Sequence, residues 1–421
     1  MTQRIVYPQL PDSSCCCGCA ACVDVCTHSA LSLQEDKNGY YNIVLDKEKC
    51  IGCKLCEKKC QLINQEKLQR STPNKETPLA GWSKNEEIIK NSATGGVFAQ
   101  IAYTMLSEGN TVVFGAMLTD ESSVKHVEIS STGDLQLLQN SKYQQSYSVG
   151  IYRQVKQRLK EGKRVLFSGT PCQIAALQSY IGNNDALKEN LFTIEVLCHG
   201  VPTNHIHRIG LKINKAQKIK AYRNKLEGKG WLKGNNMLSY VMPDGSVKIM
   251  DSRRNDFVFR SYLTYSFSRP GCYTCPYADI HRVSDITLGD FWGVQRSSNR
   301  EKYENLMGTS IILVNTEKGR EMVESSKDLL VMPVTWREIL PFNQNLFMPT
   351  NKYLFKGAKR VKLIMKLPLP VRKFVFQNGF SNAFLSRVYD TLFGLVLGNV
   401  YKSKDKEMAI LAEQTLKILE R

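Results

Sequence analysis

Two cysteine runs of one spacing constrain this chain more than any other feature. Cys16-x-x-Cys19-x-x-Cys22-x-x-x-Cys26 recurs as Cys50-x-x-Cys53-x-x-Cys56-x-x-x-Cys60. Three thiolates on one tight loop reach three corners of an iron–sulfur cubane, and the fourth iron takes a ligand from elsewhere. Where two such runs occur together, the last cysteine of each serves the other cluster. The spacing therefore predicts one 4Fe–4S cluster on Cys16, Cys19, Cys22 and Cys60, and a second on Cys50, Cys53, Cys56 and Cys26. Gly18 and Gly52 fall inside the loops, where backbone passes close to sulfur. A pair of zinc knuckles would group the cysteines in pairs rather than triplets. Thr27 and Gln61 stand where proline commonly follows the last cysteine, and no ligand is lost by this. Cys15 and Cys17 are surplus and read as bystander thiols or assembly aids.

The runs resemble a two-cluster bacterial ferredoxin, which implies an α+β module over residues 1–65. A chain of 421 residues exceeds such a module several-fold and predicts two or three domains. The polar stretch 66–78, with two prolines, reads as a linker. Strand and helix patterns then alternate over 79–345, which predicts an α/β domain with a mixed sheet, in an N-part 79–160 and a C-part 161–345. Thr111–Ala116, Arg164–Ser168 and Leu191–Leu197 are buried strands by their β-branched and aromatic content. Helices are expected after Gly96, to about Ser107, and from Ile174 to Tyr180; residues 235–265 read as β-rich, with a turn at Pro243-Asp244-Gly245. Residues 346–421 form a basic, mostly helical tail. Eight basic residues and no acidic one occur between Lys352 and Lys373, interleaved with Leu and Phe. Peripheral contact with a membrane surface and docking on the protein's own core both suit such a tail.

A formal charge of +18 favours acidic partners, above all an acidic electron carrier or a partner redox subunit. No nucleic-acid module accompanies the charge, so a nucleic-acid partner is not expected. No apolar run reaches membrane-spanning length, the opening MTQRIVYPQL has no apolar signal core, and cysteines in cluster spacing suit a reducing compartment. A cytoplasmic location follows as the expectation, with membrane association through the tail as its variant.

Four further cysteines are Cys172, Cys198 and the pair Cys272-x-x-Cys275. Cys172 and Cys198 lie just past predicted strand ends, the edge where ligands gather in open α/β sheets. A third 4Fe–4S cluster, a structural zinc, a redox dithiol and ordinary buried thiols all fit this set. Clusters move one electron at a time, so a hydride substrate calls for a converter, and flavin is the usual one. Ser92-Ala93-Thr94-Gly95-Gly96 before a helix suits a pyrophosphate or a plain helix cap. Ser141-Lys142-Tyr143 offers a charge and a stacking face, or a solvated surface lysine.

Taken in order, these segments resemble the beta subunit of coenzyme F-420 hydrogenases and dehydrogenases, a family of iron–sulfur flavoproteins. The segments are Cys16 to Cys60, Ser92 to Phe98, Ser141 to Ser146, Leu166 to Gln173 and Cys198 to Pro202. Arg223-Asn224-Lys225 with Gly230-Trp231, the Cys272–Cys275 pair, and Ser284 to Trp292 complete them. The resemblance implies FAD, with FMN as its variant, on Ser92, Thr94, Gly95, Gly96, Ser141, Lys142, Tyr143, Gly169, Thr170 and Gln173. It also implies a third cluster on Cys172, Cys198, Cys272 and Cys275. The expected activity is an iron–sulfur flavoprotein oxidoreductase that passes electrons between clusters and FAD, and hydride to or from a deazaflavin-like or other small organic substrate. The alternative is a relay subunit without its own substrate. His199 and Lys142 are the candidates for proton delivery. No nickel-binding motif is present, so the chain is not expected to split hydrogen itself.

Overall fold

Runs of β-branched and aromatic residues set the central strands, and their alternation decides which side chain faces which layer. A computed structural model of the chain describes residues 6–71, 77–225, 231, 237–250, 256–263, 265, 267–349 and 407–419. An eight-stranded mixed sheet dominates it. The strands are β3 (Leu79–Ser83), β4 (Thr111–Leu118), β5 (Val124–Ile129), β6 (Arg164–Gly169), β7 (Leu191–Val196), β11 (Ile286–Asp290), β12 (Ser310–Val314) and β13 (Leu329–Pro333). Their spatial order is β13-β3-β12-β11-β7-β6-β4-β5. The middle four, β11, β7, β6 and β4, run parallel, and antiparallel strands close both flanks. One sheet thus takes strands from both sides of residue 160.

Val112, Phe114, Val165 and Phe167 point to one face, where helices Ile151–Lys160 and Pro171–Ile181 cover them. Val113, Leu166, Ile194, Ile286 and Ile312 point to the other, beneath helices Val97–Ser107 and Glu317–Ser325. Period-two alternation therefore builds two cores from one sheet. A third cluster, with Ala80, Phe291, Ile339 and Leu346, also takes in Ala412 and Leu416 from a helix over 407–419. That end of the expected tail docks on the protein's own core. The basic stretch from Lys352 to Lys373 lies outside the described residues.

A smaller antiparallel sheet joins β8 (Lys218–Ala221), β9 (Ser239–Val241) and β10 (Val247–Ile249). The turn at Asp244-Gly245 connects β9 and β10, as its chemistry predicts. The β-rich reading fails further on, because Phe257–Leu263 is helical. Its Phe257, Val258 and Phe259 fill the core beneath the small sheet, and this packing overrides their β propensity.

In the N-terminal region β1 (Leu31–Glu35) pairs with β2 (Tyr41–Leu45), flanked by short helices Ala21–Val25 and Leu55–Lys58. Ala21 is fully buried in the same core as Tyr152, Phe167 and Ile174, so this region is built into the main domain. Asp24 reinforces the join: its carboxylate accepts from Gly150 N (2.6 Å) and Tyr152 N (3.0 Å), at the N-terminus of helix Ile151–Lys160. Part of the expected linker is pinned as well. Gln69 N donates to Gln178 (3.1 Å) and Ser71 N to the Arg282 carbonyl (2.8 Å). No helix among the described residues is long and apolar enough to cross a membrane.

Candidate functional site

The cysteines of the doubled run line two separate cavities. Cys26, Cys50, Cys53 and Cys56 border one. Cys16, Cys19, Cys22 and Cys60 border the other. Cys60 thus lies with the first run and Cys26 with the second. Gly18 takes a left-handed φ of 66° and its N–H donates to Cys16 Sγ at 3.4 Å. Arg269, fully buried, holds this loop from the main domain, donating to the Cys16 carbonyl (2.6 Å), Gln145 (3.2 Å) and Asn42 (3.1 Å).

Cys17, surplus to the ligand spacing, sits at a junction. It borders the second of these cavities and also the large cleft of the main domain, where Cys19, Cys172 and Cys198 are found with it. Gln61 Nε2 donates to its sulfur at 3.1 Å. Hydrogen bonds with Cys172 and Cys19 hold the Cys17 thiol well below its ordinary range. At four other thiols burial dominates: it pushes Cys16 up to about 11 and Cys198 up to about 12, and raises Cys22 and Cys272. Thiols so placed ionise against a bound cation far more readily than alone. Among the described residues no three His, Cys, Asp or Glu side chains close on the position of a single metal ion. In a cubane each thiolate meets a different iron, so a cluster uses a wider ring than one ion does.

The large cleft, of about 410 Å³, lies at the carboxyl edge of the parallel strands. Ala116 of β4, Gly169 of β6, Val196 of β7 and Asp290 of β11 all border it. This is the edge where open α/β sheets place ligands. Ser92, Thr94, Gly96, Ser141, Lys142, Tyr143, Gly169, Thr170, Gln173 and His199 line it together with Cys172 and Cys198. Cys272, in the 3-10 turn Pro270–Thr274, and Cys275 just after it are not among the cleft's lining residues. A Cβ on Gly200 would lie 3.2 Å from that of Cys272, and neighbouring Cys198 and Cys275 help to raise the Cys272 thiol. Gly95 stands apart from the lining. A Cβ there would meet the Gly81 carbonyl at 2.6 Å, so its small size serves packing between β3 and β12.

Several of these side chains are already engaged by protein. Ser92 Oγ donates to Ile88 O (2.7 Å), and Thr94 Oγ1 donates to Thr309 O (3.1 Å) while accepting from Trp231 Nε1 (2.8 Å). Lys142 Nζ donates to the carbonyls of Gln139 (2.6 Å) and Leu138 (2.9 Å), closing the turn before it. Burial draws this amine down to about 7. His199 Nδ1 meets Tyr265 Oη at 3.3 Å, and burial holds its ring at about 4, neutral near pH 7.

Residues that the sequence reading left without a role organise the walls. Arg223 Nη1 pairs with Asp290 Oδ2 at 2.8 Å, both at the cleft, joining two of the quoted motifs. Lys225 Nζ donates to the carbonyls of Ile89 and, at 2.8 Å, Thr94, fixing the Ser92–Gly96 turn. His126 Nε2 faces the Ser168 carbonyl at 3.0 Å and so carries the proton; Nδ1 accepts from Ser146 Oγ at 2.9 Å. Gln173 donates to the same Ser146 (2.9 Å) and its carbonyl accepts from Thr170 N (3.0 Å). This chain of bonds sets the turn that carries Cys172. Tyr143, Phe259 and Tyr262 form an aromatic wall, with Tyr143 centred 5.4 Å from Phe259 and 4.3 Å from Tyr262. Periodicity carries no signal for such contacts, since each joins residues far apart in the chain.

A mixed α/β sheet with thiols and a ligand-sized cleft at its carboxyl edge defines the class, and comparison with known proteins narrows it. Residues 162–334 match the family model for the C-terminal part of the coenzyme F420 hydrogenase/dehydrogenase beta subunit. Over that segment the match agrees with the resemblance drawn from the ordered motifs. Cys172, Cys198, Cys272 and Cys275 all fall within the match. The archaeal-type glutamate synthases [NADPH] of Thermotoga maritima and of Thermotoga sp. strain RQ2 are each 33% identical over 102 residues, 23% of this chain. The chain spans 19% of the length of these curated relatives. Among solved structures, the F420-reducing [NiFe] hydrogenase complex of Methanosarcina barkeri is similar at 18% identity, over 71% of this chain and 93% of that one, with a TM-score of 0.41.

Proposed function

We propose that the chain is an iron–sulfur flavoprotein oxidoreductase. The observation that carries this reading is the pair of cavities whose cysteines match the crossed ligand sets given by spacing. Cys16, Cys19, Cys22 and Cys60 would hold one 4Fe–4S cluster, and Cys26, Cys50, Cys53 and Cys56 a second. Cys172, Cys198, Cys272 and Cys275 would hold a third, and the cleft a flavin, FAD by preference. Bound clusters supply one-electron chemistry, and a flavin converts it to two-electron hydride chemistry. The donor set fits: soft thiolates for iron–sulfur, and for the flavin the N-terminus of the helix starting at Val97, whose free N–H groups suit phosphate.

The chain's own residues orient and enclose. The aromatic wall of Tyr143, Phe259 and Tyr262 keeps water from one side of the cleft and suits a planar, deazaflavin-like substrate. The Arg223–Asp290 pair fixes charge beside it. Neutral His199, hydrogen-bonded to Tyr265, is placed to hold or pass a proton at Nε2. The Lys142 amine, spent on two carbonyls, serves the shape of the cleft instead.

Anaerobic purification with iron, sulfide and flavin quantification tests this. About twelve irons and one flavin per chain are expected. Cys172→Ser should leave about eight irons, whereas Cys17→Ser should retain about twelve. Protein with its iron intact that binds neither FAD nor FMN would remove the flavin part, and protein without iron would remove the whole.

A further inference from the structure

The cavity of Cys26, Cys50, Cys53 and Cys56 reaches the surface. Cys53 is exposed, and Ile51 (57% exposed) and Leu55 (37%) border the same cavity with their side chains in water. Val44 and Tyr7 are exposed in the same module. Apolar side chains held in solvent around a thiol-lined opening contribute little to the fold, and such patches mark contact sites. The surround is basic. Between residues 46 and 59 lie Lys47, Lys49, Lys54, Lys58 and Lys59 against Asp46, Glu48 and Glu57. Of the acids, Asp46 pairs with Lys49 at 3.1 Å and Glu57 accepts from Gln9 N at 2.5 Å. Lys47 is held over the Tyr7 ring, 5.4 Å from its centre.

We infer that this rim docks a small acidic one-electron carrier protein. The inference rests on the reading that these four thiolates hold a cluster. The reduced carrier loses one electron and the site gains it, and no bond or proton moves. Basic residues steer the acidic partner, while Ile51 and Leu55 exclude water at the point of contact.

Stopped-flow reduction of the anaerobic full chain by a reduced acidic plant-type [2Fe–2S] ferredoxin is the test. The second-order rate should fall about tenfold or more between about 20 mM and about 300 mM salt. Lys47→Glu with Lys58→Glu should lower the low-salt rate about tenfold, with iron content and the end point of dithionite reduction unchanged. Lys327→Glu, an exposed lysine in the main domain, should leave the rate alone. A salt-independent rate, a double variant as fast as the parent, or an equal loss in Lys327→Glu would overturn the docking surface. Should the double variant lose iron, Lys58→Gln and the salt series on the parent decide. Absence of iron from the parent defeats the underlying reading instead, and the iron assay, made first, separates the two failures.

Discussion

His126 has both ring nitrogens engaged and stacks on Phe167, 5.3 Å between centres. Burial pushes its ring down to about 4, and nearby Lys142 adds to this against the opposing bond to the Ser168 carbonyl. The unfolded chain takes up a proton near 6.5, whereas the folded ring resists it until about 4. Its contribution to stability is thus present above the unfolded value and is lost as pH falls through the folded one. Between pH 6.5 and pH 4.5 this amounts to about 2–3 kcal/mol. Thermal unfolding of anaerobic protein across that window should show the loss, and His126→Gln should flatten the slope by roughly that amount. An unchanged slope would place the ring in contact with solvent. The sequence offered no route to His126, because its importance lies in bonds to Ser146 and Ser168, 20 and 42 residues away. The grouping of the doubled run's cysteines about two cavities was legible, because it follows from local spacing.

At the scale of elements, helix Ile151–Lys160 begins on a borrowed cap. Its first N–H groups are met by Asp24, from a different helix and 126 residues earlier, with Arg153 3.9 Å from the carboxylate. A carboxylate at a helix N-terminus satisfies open donors and complements the dipole. Asp24→Ala should cost about 1–2 kcal/mol, read as a fall in denaturation midpoint, with Asp24→Asn losing less. The strands β4, β6 and β7 were readable because parallel strands buried on both faces are continuous apolar runs. The strand β3 and the edge strand β13 were not: Leu79–Ser83 contains Gly81 and lies beside the polar stretch that reads as linker. Likewise the helix at Phe257 was hidden, since its aromatic content suits a strand and its packing partners lie elsewhere in the chain.

Across the whole molecule, the N-terminal region and the main domain share one core through Ala21 and a polar seam through Asp24, Gln145, Arg269 and Tyr40. Tyr40 Oη donates to the Phe267 carbonyl at 3.0 Å, and Ser148 Oγ to that of Cys19 at 3.0 Å. Elements so joined should unfold together. Loss of iron–sulfur absorbance and loss of far-ultraviolet dichroism are expected to share one midpoint on heating, and two separated transitions would show independent units. The division into a module and a domain is plain in the sequence because cysteine spacing ends abruptly near residue 60. The seam is invisible there, being made of ordinary polar residues matched only by the fold.

Asp24 and Arg269 therefore tie the cysteine-rich portion to its host like a graft that has taken. Transplanting a foreign cysteine-run segment onto this scaffold would strand the amides of Gly150 and Tyr152 and take from a buried guanidinium its Asn42 acceptor. What looks like an interchangeable cassette is, by its bonding, a fixed organ of this one polypeptide.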